Sequence, residues 1–493
     1  MSKKIKLIST LVLIGFIIIW IRVLYLQVFT HKEFSRLARS QYQNQTTLIP
    51  KRGQILAFDG IPLAKSLATT SAQKYIRAYP EGSSSGYLTG FVGKDIDGLD
   101  TGYFGLEGYF DRQLKGKIGH LNQETDVFNK PILIGDVNYF PPQDGSNIIT
   151  SIDTTLQYFV VKALREALIL YQAEGGTVTV MESSTGHILA MTATPGYDSN
   201  FYTQYQNENF VNPIITAAFE PGSTFKPLVM AAALNDKVIN LNTICDVCNR
   251  PMVIGEWTIK SYNDKYYPDS TLYDIILHSD NVGMSFISRK LGKKRMISYL
   301  KDLNFGQKTG IELQEESSPP LKSESDWYEI DLATASFGQG IAITRLQMIS
   351  AINSLANKGV YIPPSIALHI ESTQGNISLP EKNSHRVYSK SAAEAVVNMM
   401  VNGVEKGEVR YYKPKGYTIA GKTGTAQVPI AGHYDPNRVI SSYVGFAPAN
   451  QPKFTMLVTL DNPKTSPWGS TTAAPLWFRI ASEILNYYHI PPG

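Results

Sequence analysis

Apolar positions fall into three regimes along this chain. Residues Leu7 to Ile21 are uncharged and almost wholly apolar, and beyond Arg22 the pattern resumes through Val23, Leu24, Tyr25 and Leu26. With Arg22 able to snorkel, the segment is long enough to cross a bilayer, which takes about 20 residues. From His31 to about Gly145 the pattern is mixed. A polar helical start over Lys32 to Gln45 gives way to short strand-like runs broken by Gly, Pro and Ser, with a loop at 81–86. From Ser146 onward, longer periodic segments take over.

Ile148 to Ile152 reads as a strand, and Asp153 is placed to cap a helix to about Tyr171, with Leu156, Val160, Leu164 and Leu168 at helical spacing. Thr177 to Met181 and His187 to Ala193 read as strands joined by a tight turn at 183–186. Pro227 to Leu234 reads as a buried helix, and a mainly helical stretch runs from Ser270 to Leu303. Three more strands are expected at 418–427, 440–446 and 454–460, then a last helix at 473–485. Strands early and late with helices at both ends imply an α+β fold. One antiparallel sheet is packed by the terminal helices, an all-helical part is inserted between, and the site lies where the two parts meet. No internal repeat is present.

Composition narrows this little. The 493 residues should form two or three domains. A net charge of +4 with 18% charged residues carries no nucleic-acid footprint. Cys245 and Cys248 are too few for a disulfide framework. With no second ligand pair at zinc spacing, they read as a local disulfide or two plain thiols. Asp95 to Gly98 lacks the rest of a calcium loop. No metal or other cofactor is expected. Lys3, Lys4 and Lys6 before the apolar segment place the N-terminus in the cytoplasm. No small-x-small cleavage site precedes His31, so the segment reads as an uncleaved anchor, with the rest of the chain outside the membrane.

The candidate chemistry starts at Glu220–Pro227, where Ser223 and Lys226 form an S-x-x-K pair at the start of the buried helix. Residues three apart on a helix share a face, so the Lys226 amine can reach the Ser223 hydroxyl. The tetrapeptide alone is most simply an N-cap serine beside a solvated lysine. It gains meaning from Ser279-Asp280-Asn281 in the helical insertion and Lys422-Thr423-Gly424-Thr425 on a strand candidate. A serine hydroxyl needs a base, and no histidine lies inside the three motifs, so Lys226 is the candidate. Its pKa must fall by about 3 units, or about 4 kcal/mol, to serve near neutrality. Burial, the helix N-terminus and the charge of Lys422 would all act in that direction. Ser279 is placed to pass a proton to a leaving amine, and Asn281 to orient substrate. Lys422, Thr423, Gly424 and Thr425 suit a peptide carboxylate or carbonyl along a strand edge. The Ser223 and Thr425 N–H groups would form an oxyanion hole. Asp280 reads as a structural acceptor and His278 as a packed or surface histidine.

In this order the three motifs resemble the penicillin-binding proteins and serine β-lactamases. The resemblance to class B penicillin-binding proteins extends over nearly the whole chain. Arg52-Gly53 through Leu63-Ala64 is similar to the family's R-G-x-I-x-D-x-x-G-x-x-L-A element, with Ala57 where the family has aspartate and Asp59 two places later. Gly105-Leu106-Glu107-Gly108, Ser151 to Gln157, Phe337 to Gly340 and Val444 to Pro448 match other blocks. The resemblance implies a cytoplasmic stub and anchor over 1–30, a pedestal or dimerisation-type domain over 31–145, and a transpeptidase domain over 146–493. It implies a D,D-transpeptidase of the bacterial cytoplasmic membrane that cross-links peptidoglycan stem peptides in cell division or elongation. β-Lactams would acylate it, and a glycan polymerase and other cell-wall proteins would be its partners. The segment 31–145 is shorter than a typical enzyme domain, which argues against a fused glycosyltransferase. Two alternatives are a serine β-lactamase, with Glu315 or Glu316 inviting assignment as the deacylation base, and an idle β-lactam-binding scaffold or sensor. Thr309 to Gln314 reads as a short strand into a Ser-Ser-Pro-Pro loop, which makes both glutamates structural.

Overall fold

The computed structural model describes residues 3–69, 75–126, 128, 130–132, 137–430 and 433–492. The chain forms two compact units. The first takes Met1–Arg52, Ala68–Tyr75 and Gly116–Gly145; the second takes Gly53–Leu67, Ile76–Lys115 and Ser146–Gly493. Residues 53–67 and 76–115 therefore fold with the segment from 146 onward.

In the first unit, helix α1 (Lys3–Leu24) continues as a π-turn to Phe29, and none of its apolar side chains is covered by protein. The next helix, His31–Tyr42, stops short of the expected Gln45. Gln43–Leu48 instead forms a strand in an antiparallel sheet with Gly119–Glu124 and Val137–Phe140, Gln43 opposite Glu124. Pairing with a distant strand overrides the local helical pattern.

The second unit is built on a five-stranded antiparallel sheet. Its strands are β1 (Gly175–Glu182), β2 (Ile188–Thr194), β3 (Ala420–Ile430), β4 (His433–Ala447) and β5 (Phe454–Asp461), in the order β2-β1-β5-β4-β3. Helix α2 (Thr154–Tyr171) starts where Asp153 accepts the Leu156 N–H at 2.9 Å. Its Leu156, Val160 and Leu164 pack with Trp477 and Ile480 of the last helix against Val178, Val180 and Val458 of the sheet. The opposite face meets Leu346, Met348 and Ile349 of a wholly buried helix, Arg345–Ala356, through Met181, Met191 and Leu457. Burial on both faces leaves the threonines of β1 and β5 inside as well, and Thr177 and Thr459 satisfy each other there with their hydroxyls 2.8 Å apart.

The insertion between β2 and β3 carries α3 (Lys226–Asn235), α4 (Leu272–Leu277) and α5 (Asn281–Leu291). No strand forms over Thr309–Gln314. That stretch is pinned by side chains instead. Glu312 accepts the Ile366 N–H at 2.7 Å and pairs with Lys382 at 2.6 Å, while Glu316 accepts from the Thr309 N–H and hydroxyl at 2.6 Å each. Cys245 and Cys248 form a disulfide.

Candidate active site

Three elements distant in sequence bring the motif residues together. Ser223 lies in a 3-10 turn (Gly222–Phe225) that runs directly into α3, whose first residue is Lys226. Pro227 follows, where a missing N–H costs little. The turn stands against β3 because Gly424 offers no Cβ: one there would lie 2.9 Å from Thr224 Cγ2 and 3.1 Å from the Pro221 carbonyl. On its other side Gly222 N–H donates to the Gly338 carbonyl at 3.0 Å. Gly338 has φ of +76°, and a Cβ on it would press into the Gly222 backbone. This is the physical reason for glycine in the Gly-Gln-Gly run.

The Ser-Asp-Asn motif is the break between α4 and α5. Ser279 takes a left-handed backbone, φ +55°, uncommon outside glycine and costly unless its surroundings enforce it. Here they do. Asp280 caps α5 through the Val282 N–H at 2.9 Å and accepts from Ser261. As read from sequence, it is a structural acceptor. The kink turns the Ser279 carbonyl toward the Lys226 amine, which donates to it.

Lys226 is fully buried. Besides that carbonyl, its Nζ lies 3.1 Å from Ser279 Oγ and 2.8 Å from Asn281 Oδ1. Lys422 Nζ reaches the same Ser279 Oγ at 3.0 Å and the Thr423 carbonyl at 3.2 Å. Two amines thus converge on one hydroxyl. Burial, first, and the charge of Lys422, second, hold Lys226 well below the usual lysine range, while Asp280 opposes them. Burial likewise lowers Lys422 to about 8, opposed by Glu408. A neutral amine beside a cationic one is the state these causes favour.

Five of the eight expected residues are therefore joined directly: Lys226, Ser279, Asn281, Lys422 and, through its carbonyl, Thr423. Thr423, Gly424 and Thr425 line the edge strand β3, and Thr425 Oγ1 accepts the Gly469 N–H at 3.0 Å. Ser223 Oγ has no hydrogen-bond partner among the described residues, so the expected Lys226–Ser223 contact is replaced here by Lys226–Ser279. The Asn281 amide is likewise held between Lys226 and the Lys260 carbonyl, to which its Nδ2 donates at 3.1 Å. His278 is exposed and stacks on Tyr267 with centroids 3.8 Å apart, a surface histidine of the kind expected.

Glu315 and Glu316 are spent elsewhere. Gly105 N–H donates to Glu315 Oε2 at 3.0 Å, and burial pushes that carboxyl up to about 7. Sequence reasoning passed over Ser261, Gly469, Glu220 and Tyr434. Ser261 and Gly469 act through contacts across the chain that no local pattern announces. Glu220 stood inside the first motif.

Residues 176–486 match the penicillin binding protein transpeptidase domain, and residues 52–126 match the penicillin binding protein A dimerisation domain. The chain belongs to the class B penicillin-binding proteins, the peptidoglycan D,D-transpeptidases of the cell wall. It is similar to stage V sporulation protein D of Bacillus subtilis, 31% identical over 426 residues that cover 85% of this chain and 65% of that protein. It is similar also to the peptidoglycan D,D-transpeptidase FtsI of Escherichia coli K12, 31% identical over 84% of this chain and 68% of that one. Penicillin binding protein 3 of Mycobacterium tuberculosis, solved apo and with aztreonam, superposes with a TM-score of 0.79 at 27% identity. The match covers 91% of this chain and 98% of that one.

Proposed function

We propose that Ser223 is the acylated nucleophile and that Lys226, as a neutral amine, is its base. The observation that carries this is that Lys226, three residues after Ser223 on the same turn, and Lys422 converge on the Ser279 hydroxyl. Ser223 Oγ attacks the carbonyl carbon before a terminal D-alanine and its proton passes to Lys226. The oxyanion is held by the Ser223 and Thr425 N–H groups. Ser279 relays a proton from Lys226 to the departing D-alanine amine as the C–N bond breaks. An amine of a neighbouring stem peptide then attacks the ester, its proton returns along the same relay, and Ser223 is released.

The donor peptide lies along the free edge of β3, as an added strand, with Lys422, Thr423 and Thr425 beside its carboxylate and carbonyls. Gly424 admits the close approach of strand to turn, and Asn281 orients the substrate once its amide exchanges partners. The engagement of Glu315 and Glu316 away from these groups supports transfer to an amine over hydrolysis. β-Lactams enter as mimics of the donor.

We also read α1 as a single-pass anchor with a cytoplasmic N-terminus, residues 31–145 as a pedestal whose stretches 53–67 and 76–115 pack with the catalytic part, and residues 146–493 as the transpeptidase. A glycan polymerase and other cell-wall proteins are the expected partners. Fluorescent penicillin should label the intact protein, and Ser223→Ala should abolish that labelling. Adduct found on another residue would remove Ser223 from the role.

A further inference from the structure

The oxyanion hole proposed above takes one N–H from the Ser223 turn and one from β3. Two donors on separate elements work only if something sets the gap between them. Glu220, three residues before the nucleophile, is the side chain that ties these parts.

Glu220 is only 9% exposed, and among the described residues its carboxylate is held by Gly340 and Tyr434, with no lysine, arginine or histidine paired to it. Its Oε1 accepts the Gly340 N–H at 2.9 Å. Its Oε2 accepts the Tyr434 O–H at 3.1 Å. Tyr434 belongs to β4 and stands opposite Pro429 of β3, in the same hairpin as the Lys-Thr-Gly-Thr motif but beyond a register shift after Gln427. Gly340 ends the turn whose Gly338 carbonyl holds Gly222, and just beyond it Ile343 and Thr344 pair with Phe219 and Ala218. One carboxylate, carried on the segment that leads into the nucleophile's turn, therefore ties the 338–340 turn and the motif hairpin to it. A buried carboxylate without a cation depends on such donors, so its place is dictated by them.

We infer that Glu220, through Tyr434 and Gly340, is a positioning residue for acylation: it sets the spacing between Ser223 and Thr425 across which the acyl carbonyl must fit. This rests on the assignment of Ser223 as nucleophile. Small displacements of such groups cost up to about a hundredfold in rate.

The test is saturation kinetics of penicillin acylation on the full chain, separating the acylation rate constant from the apparent dissociation constant. Glu220→Ala and Tyr434→Phe should each lower the rate constant by about tenfold or more with the dissociation constant little changed. Glu220→Gln, which keeps an acceptor for Gly340, should recover part of the loss. Glu220→Ala/Tyr434→Phe should be no slower than the worse single variant, because Glu220→Ala already removes the bond that Tyr434→Phe breaks. Wild-type rate constants in Tyr434→Phe, or losses that multiply in the double variant, would overturn the inference while Ser223 remained the labelled residue. Should Glu220→Ala not fold, Tyr434→Phe and Glu220→Gln decide between the same two outcomes. A wild-type protein unlabelled at Ser223 would remove the nucleophile assignment itself, and this inference with it.

Discussion

The reactive centre is a problem of two buried amines and one hydroxyl. Lys226 and Lys422 both lie about 3 Å from Ser279 Oγ, and each has its cation disfavoured by burial. A lysine held below its usual range is a base only above its own pKa, so acylation should fall as pH drops through that value. Removing the Lys422 charge takes away one of the causes that lower Lys226. Lys422→Ala should therefore move the acidic limb of the acylation profile to higher pH, with a deficit that grows as pH falls. A limb that stays where it is in the wild type would separate the two lysines electrostatically. The residue types of this relay were legible in the sequence, and so was the structural role of Asp280. The partners were not. The bond expected from Lys226 to Ser223 goes to Ser279, because the left-handed turn at Ser279 presents a carbonyl and a hydroxyl together.

At the scale of elements, the position of the Ser279 turn depends on what precedes α4. Ile244 and Cys245 pair with Ser270 and Thr271, and Thr271 caps α4 by accepting the Asp274 N–H at 3.3 Å. Tyr267 N–H donates to the Cys248 carbonyl at 3.0 Å, and the Tyr267 ring stacks on His278 at the other end of α4. The disulfide thus anchors both ends of this helix indirectly. Replacing both cysteines by alanine should cost about 2 kcal/mol for so short a loop. It should also speed hydrogen exchange over residues 244–278 before the sheet is affected. Exchange unchanged there, with a lowered melting temperature, would place the stabilisation elsewhere. The helices at 154–171, 226–235 and 473–487 and four strands of the sheet were recovered to within a few residues because caps and periodicity are local, whereas the helices Arg345–Ala356 and Lys390–Lys406 and the first seven residues of β4 were not expected. The expected strand at Thr309–Gln314 was not found, since glutamates reaching Ile366 and Thr309 outweigh its weak pattern.

At the scale of the whole molecule, α1 and the π-turn after it present an apolar surface that no protein covers, ahead of which stand Lys3, Lys4 and Lys6. Basic residues are retained on the cytoplasmic side. Protease added outside intact spheroplasts should accordingly digest the C-terminal part of the chain, and protection of that part would reverse the assigned orientation.

Periodicity, caps and three short motifs were enough to read the α+β class, the strands of the catalytic sheet and the residue types of the site, because each is written over a few consecutive positions. Which atoms meet was not readable in that way. The gaps among Ser223, Ser279 and Lys422 are set by a turn pressed on a glycine of β3, a kink between two helices and a carboxylate shared by three segments. Contacts of that kind exist only after burial has drawn distant stretches of chain together.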